Sequence, residues 1–245
     1  MLSRTPEDVV AHAAAAPGLT VLDADIADCF ACPRLVTWRE EVAATKRAAF
    51  RDQTYWGRPL PGFGPAGAEI AILGLAPAAH GGNRTGRIFT GDRSGDVLFA
   101  ALHRAGLANQ PTSVSADDGL TLTHTRIFAA VRCAPPDNKP LPAERDTCAP
   151  WLHREVTLIR PTLRVVVALG AFAWAAWWPV LRHVYGLSAP VPRPVFTHGA
   201  HVRIPGGPDL LGSYHVSQQN TFTGRLTPAM LDDVFSRAKR SAGLA

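Results

Sequence analysis

The chain has 245 residues, 47% of them hydrophobic, and a mean hydropathy of +0.02. That excludes a disordered polymer and leaves room for one large α/β core. A formal charge of +5, carried mostly by arginine, makes nucleic acid a candidate partner without establishing it. The longest apolar run, residues 165–181, is shorter than the ~20 residues a bilayer span needs, and Gly170 interrupts it. Met1 to Gly18 lacks the basic start and apolar centre of a secretory signal, so the reading is a soluble cytoplasmic protein with no membrane contact.

Taken in order, residues 1–20 read as a peripheral helix and tail, with Thr5 as cap and Pro6 at the first helical position. Cys29-Phe30-Ala31-Cys32-Pro33 leads into a helix over 34–47. An irregular aromatic segment, Tyr55 to Gly64, precedes a buried strand over 68–73. A glycine-rich loop, Gly74 to Asp92, then runs to a helix over 94–106. Residues 109–119 read as a surface excursion. Strands follow over 125–131 and 163–169, each leading to a helix (142–160 and 170–185). A Pro-rich linker spans 189–194, with weak strand candidates at 196–198 and 202–204. A last strand over 210–214 is followed by His215 and a closing helix over 228–242. This alternation predicts an α/β fold, a three-layer αβα sandwich with a largely parallel central sheet, as a single domain over 1–245.

The loop from Gly74 to Asp92 organises the chain. Strand, glycine-rich loop and helix start form the usual ligand edge of an α/β sheet. Gly74, Gly81, Gly82, Gly86 and Gly91 let the backbone approach a ligand, and His80, Asn83, Arg84, Thr85, Arg87, Thr90 and Asp92 crowd it with polar groups. The four cysteines fall as Cys29-x2-Cys32 and Cys133-x14-Cys148. Without a secretory signal, a four-thiolate metal site fits them better than disulfides. Spacing alone does not separate zinc from a [4Fe–4S] cluster.

These cysteines, the Gly74–Asp92 loop, Val131-Arg132-Cys133-Ala134-Pro135-Pro136-Asp137-Asn138-Lys139-Pro140 and the segment from His215 to Thr227 resemble the uracil-DNA glycosylase superfamily, in particular its family 5 branch, the UDGb type. One departure is Val216, where the family commonly has proline. The resemblance implies a uracil-DNA glycosylase-like fold and a [4Fe–4S] cluster on Cys29, Cys32, Cys133 and Cys148. It also implies a monomeric repair enzyme acting on DNA that contains uracil or other deaminated bases.

Such chemistry needs a pocket for a flipped base, negative charge stabilised on the base oxygen, and water supplied to the sugar. His215, at a strand end, is the candidate oxyanion donor, although alone it reads equally as a surface histidine. Phe89 offers a face to the base or serves as a core anchor. His80, Asn83, Asp92 and Asn138 are candidates for placing water or steadying the sugar cation; each of Asn83, Asp92 and Asn138 reads equally as a turn residue. Gly74, Leu75, Ala76, Pro77 and Ala129 complete the candidate pocket. Arg84, Arg87, Ser217, Gln218, Gln219, Asn220 and Arg225 are candidate DNA contacts, with Phe222 or Leu226 as a wedge.

Uracil-selective relatives carry an acidic or amide residue where this chain has Leu75-Ala76, and a base-reading asparagine where it has Ala129. The pocket is therefore expected to be more apolar and to accept hypoxanthine and other modified bases besides uracil. Three alternatives stand beside this reading. They are a strict uracil enzyme of the related family 4, a non-catalytic Fe–S nucleic-acid-binding protein, and a nucleotide-phosphate enzyme. The last is weakened by the lack of a Gly-x4-Gly-Lys-Ser/Thr signature.

Overall fold

The computed structural model describes residues 1–244. In chain order the elements are α1 (Pro6–Ala15), α2 (Leu19–Ala27), α3 (Pro33–Thr45), β1 (Ile70–Gly74), α4 (Gly82–Thr85), α5 (Arg93–Arg104) and β2 (Thr125–Ala129). They continue as α6 (Pro142–Ile159), β3 (Val165–Leu169), α7 (Ala171–Tyr185), β4 (His201–Val202), β5 (Asp209–Ser213), α8 (Gln218–Phe222) and α9 (Pro228–Ala242). The sheet order is β2-β1-β3-β5-β4, parallel throughout except for the short antiparallel edge strand β4.

Strand periodicity makes the three layers. Ile70, Ile72, Ile127, Val165 and Val167 point to one face, where Leu98, Phe99 and Leu102 of α5 and Leu231, Val234 and Phe235 of α9 cover them. Ala71, Leu73, Phe128, Val166 and Ala168 point to the other, against Leu152, Val156 and Ile159 of α6 and Trp174, Trp177 and Leu181 of α7. Burial on both faces explains why β1 and β3 are continuous apolar runs. The chain leaves β1 for β2 on one side and reaches β3 on the other, so the connections diverge at the carboxyl edge and open a crevice there.

The amino end is more tightly held than the sequence suggests. Thr5 and Asp8 form a reciprocal cap on α1, and Val9 and Ala13 are buried with Cys148 and Trp151 of α6. A second helix that the sequence reading did not place, α2, follows at the end of the expected tail, and its Leu22 and Ile26 join the same apolar cluster. Phe30 N donates to Ser3 O at 2.6 Å, tying the first residues to the start of the cysteine segment. Residues 196–198 form no strand, and β4 is limited to two residues. The short helices α4 and α8 carry too little apolar periodicity to be read in advance. Among the described residues no helix is long and apolar enough to cross a membrane.

One buried charge network crosses the layers. Glu155 of α6, fully buried, accepts from Arg126 Nε at 2.6 Å and pairs with Arg132, while Arg126 Nη2 reaches Asp23 of α2 at 2.9 Å. Burial pushes the Glu155 carboxyl up, and Arg132 and Arg126 more than reverse this, leaving it below its ordinary value. Gly62 lies so close to Glu155 that a β-carbon there would overlap the carboxylate. Glu155→Gln keeps the shape but leaves the buried Arg132 guanidinium without an anion and Arg126 with Asp23 alone, which should destabilise the fold by about 3–5 kcal/mol. In thermal denaturation that corresponds to a Tm lowered by roughly 10 °C; a Tm within about 2 °C of wild type would show that the network is not a stabilising unit.

Candidate active site

Three connections meet at the carboxyl edge of the sheet: the loop from β1 to α5, the turn after β2, and the segment after β5. Between them lies a cleft of about 370 Å3. Leu75, Ala76, Pro77, Ile88 and Phe89 form its apolar wall, and Asp92, Asn138, His215, Ser217 and Gln219 bring polar groups to it. A second hollow of about 320 Å3, lined in part by His80, Gly81 and Gln218, shares Ala78, Asp92, Asp137 and Asn138 with the first. The two form one trough, with His215 and Phe89 in one part and His80 in the other.

Phe89 is held by backbone geometry. Its φ is +52°, in the left-handed region that a bulky residue rarely occupies, and its side chain is 9% exposed. The ring lies over the end of β1, where a β-carbon on Gly74 would stand 3.1 Å from Cζ. From the other side Gly95, in the first turn of α5, packs so tightly on the Phe89 carbonyl that a β-carbon would overlap it. Asp92 caps α5, Oδ1 accepting from Gly95 N at 3.0 Å, and its other carboxylate oxygen lies against Gly81. Burial raises the Asp92 carboxyl above its ordinary value, with the Gly95 and Ser94 amides opposing.

The two histidines reach the trough by different routes. His215 directly follows β5, and its ring centroid is 6.1 Å from that of Phe89, tilted by 40°. Its main-chain oxygen accepts from Asn220 Nδ2 at 2.8 Å, which braces the turn that Val216 anchors in the core. Burial lowers the titration of His215 below the usual histidine value, so the ring is neutral at pH 7. His80 is lowered as well, by burial first and then by Arg47 and Arg84. Its Nδ1 is hydrogen-bonded to the Tyr55 hydroxyl at 3.0 Å. Tyr55 is buried and fixes the ring edge-on, a contribution that sequence reading missed because Tyr55 sits in the irregular segment before β1. Asn138 is exposed on the rim, in a turn where both Asp137 (φ +52°) and Asn138 (φ +56°) are left-handed.

Other expected site residues lie elsewhere. Asn83 is buried behind the trough, its Nδ2 donating to Arg39 O at 3.2 Å. Ala129 is fully buried in the apolar layer beside Gly74, its register partner, and does not line the cleft. Arg84 and Arg87, expected at the DNA surface, are internal braces. Arg84 Nη2 donates to Gly91 O at 2.6 Å, and Arg87 Nη2 donates to both carboxylate oxygens of Asp118 at 2.8 and 2.9 Å, so these donors are used inside the protein. Leu226, 2% exposed, is a core residue, which leaves Phe222, 70% exposed, as the available wedge. Arg225 is exposed, stacked 4.6 Å from the Tyr214 ring centroid, and Gln218 and Gln219 are exposed on α8. Ser217 and Asn220 are half-buried.

Comparison with known proteins places this geometry. Residues 61–239 match the Uracil DNA glycosylase superfamily. The chain belongs to that family. It is 59% identical over 232 residues to a type-5 uracil-DNA glycosylase of Mycobacterium bovis, covering 95% of this chain and 85% of the relative. A Mycobacterium leprae protein of the same name is 58% identical (91% and 95% covered), and one from Thermus thermophilus 55% (88% and 94%). The matched region holds β1 to β5 and all three connections that build the trough.

The family resemblance also concerned the cysteines, which share one enclosed cavity. Cys29, Cys32, Cys133 and Cys148 line a small cavity of about 20 Å3 with Leu35, Val131 and Trp151. Among the described residues no three metal-binding side chains converge as a single ion requires, although all four cysteines line the cavity. Burial and the neighbouring thiols push Cys32 up to about 12, and burial holds Cys133 at about 11, so without metal these sulfurs keep their protons. Two donors already face sulfur: Arg39 Nη1 at 3.1 Å from Cys133 Sγ and Arg132 N at 3.3 Å from Cys148 Sγ. Arg34 clamps the segment between the last two cysteines, gripping Glu144 at 2.8 and 2.9 Å.

The packing at Gly95 gives a test of the loop. Glycine to alanine in a helical first turn ordinarily stabilises by about 0.4–1 kcal/mol. Here the added methyl meets the Phe89 carbonyl, so Gly95→Ala should instead destabilise by about 1–3 kcal/mol in urea denaturation. A stabilised variant would show that the loop yields at no cost and that Phe89 is not fixed by this contact.

Proposed function

We propose that the chain excises uracil from DNA by hydrolysing the bond between base and sugar, leaves an abasic site, and acts on hypoxanthine and other deaminated bases as well. The observation that carries this reading is the meeting of a neutral, partly desolvated His215 with Phe89 in an apolar-walled cleft, opposite the polar rim of Asp92 and Asn138. The type-5 uracil-DNA glycosylase name carried by relatives over most of the chain supports it.

In this reading the flipped base rests against Phe89, and the His215 N–H donates to the base oxygen as negative charge develops there. A neutral imidazole suits that role, since it donates without first forming an ion pair with the DNA. Water reaches the sugar from the side of His80, Asp92 and Asn138. When His80 Nδ1–H donates to the Tyr55 oxygen, Nε2 keeps the lone pair that orients a water molecule. Asn83 acts by holding the loop rather than by touching the sugar. Exposed Gln218, Gln219 and Arg225 meet the backbone and minor groove, with Ser217 and Asn220 at the base of that surface and Phe222 entering the gap. One chain supplies every group named, which fits a monomer.

We also propose that the four cysteines hold a [4Fe–4S] cluster. The shared cavity, the four-thiolate donor set and the N–H donors aimed at sulfur fit such a group. When bound, it supplies cross-linking rather than hydrolytic chemistry, joining the segment before α3 to the end of β2 and to α6.

The accepting character of the cleft follows from its wall. Leu75 and Ala76 offer no buried amide that a larger ring would leave unpaired, so a purine such as hypoxanthine meets no such penalty. Duplexes carrying uracil, hypoxanthine or only normal bases, incubated with the protein and then cleaved with alkali, test the whole reading. Strand breaks are expected at uracil and hypoxanthine only. His215→Ala should slow uracil release by roughly 10²–10³-fold, as loss of an oxyanion donor does. Unbroken uracil strands with wild type would refute the activity, and breaks at uracil alone would refute the wider range.

Ala129 yields a separate measurement. Because it lies in the apolar layer outside the cleft wall, Ala129→Asn should slow uracil and hypoxanthine release by the same factor while destabilising the fold by about 1–3 kcal/mol for an unpaired buried amide. Single-turnover rates decide it. A loss confined to hypoxanthine would return residue 129 to the base pocket.

A further inference from the structure

Arg39, in the second turn of α3, is fully buried, and among the described residues no carboxylate hydrogen-bonds to it. Its Nη1 donates to Cys29 O at 3.0 Å and to Cys133 Sγ at 3.1 Å, and its guanidinium lies 4.8 Å from the Phe30 ring centroid. Nε and Nη2 make no hydrogen bond. The nearest acid, Glu40, is half-exposed, with Oε1 3.9 Å from Nη2, outside hydrogen-bond reach. The other buried acids are committed: Glu155 to Arg126 and Arg132, Glu144 to Arg34, and Asp25 to the amino terminus. A guanidinium cannot lose its proton, so burying one without an anion is strongly unfavourable. Yet Arg39 lines the same cavity as all four cysteines.

We propose that Arg39 is the internal counter-cation of the four-thiolate site and the tie between that site and the loop that follows β1. Four thiolates remain a net anion whether they hold zinc or an oxidised iron–sulfur core, and among the described residues Arg39 is the one guanidinium that already donates to a cysteine sulfur through its side chain. The tie comes from its main chain. Arg39 O accepts Asn83 Nδ2 at 3.2 Å, while Asn83 O accepts from Gly57 N at 2.9 Å, so α4 is hung from the residue that faces the sulfurs. Arg39 is thus a positioning residue, remote from any reacting atom. Lysine could keep the charge but not the fork that meets Cys29 O and Cys133 Sγ together.

The inference rests on the four-thiolate reading, so its test begins with what the full-length protein holds. Iron and zinc per chain, the rate of metal release to excess chelator, and the reduction midpoint are measured for wild type, Arg39→Met and Arg39→Lys. Four irons per wild-type chain support the cluster; zinc in their place overturns the cluster while leaving Arg39 to be judged from zinc release. A wild-type chain that binds neither metal overturns both. Arg39→Met should release metal roughly tenfold or more faster, the usual effect of losing a partner to a metal ligand. Its iron should be harder to reduce, because a nearby positive charge is gone. Arg39→Lys should keep a near-normal midpoint but release metal faster than wild type. Folded Arg39→Met with wild-type metal release and midpoint would overturn the proposal. Where Arg39→Met does not fold, Arg39→Lys carries the test, and wild-type release from it is likewise overturning.

Discussion

The site depends on a backbone held in place where a side chain would not fit. Phe89 occupies a left-handed conformation between Gly74 beneath its ring and Gly95 behind its carbonyl. A methyl group at Gly95 would overlap the carbonyl, and one at Gly74 would crowd the ring at 3.1 Å. The helix cap at Asp92 closes the arrangement, since the carboxylate that starts α5 also packs on Gly81 at the far side of the loop. The loop is therefore one interlocked unit, and its placement follows from the parallel sheet whose carboxyl edge it crosses.

Much of this was legible because the strongest signals are local. The apolar runs at β1 and β3, the proline-led starts of α3, α6 and α9, and the glycine punctuation after β1 are all short-range features that tertiary packing did not override. His215 could be placed at a strand end because β5 is easy to read. The cysteine spacing pointed to one shared site, and all four thiols line one cavity.

What could not be read was which polar groups turn inward. Arg84 and Arg87 look like DNA contacts in a basic loop, but the partners that claim them, Gly91 and Asp118, are fixed only by the fold. Asn83 and Ala129 were drawn toward the pocket by motif position, whereas one faces α3 and the other the apolar layer. Tyr55 went unassigned because its relation to His80 spans an irregular segment with no periodicity to follow. Arg39 gave no signal, since a charged residue in an amphipathic helix is ordinarily solvated.

The bridging of distant segments by the cysteines has a consequence for how the protein is made. Cys29 and Cys32 leave the ribosome more than a hundred residues before Cys148, and the helix that buries α1 comes with Cys148. At cellular rates of synthesis that interval is on the order of ten seconds. Throughout it α1 lacks the face of α6 that buries it, and the four thiols cannot all meet. The native packing of α1 therefore waits on the appearance of α6, so the earliest-made helix reaches its native surroundings only after more than half of the chain has been made.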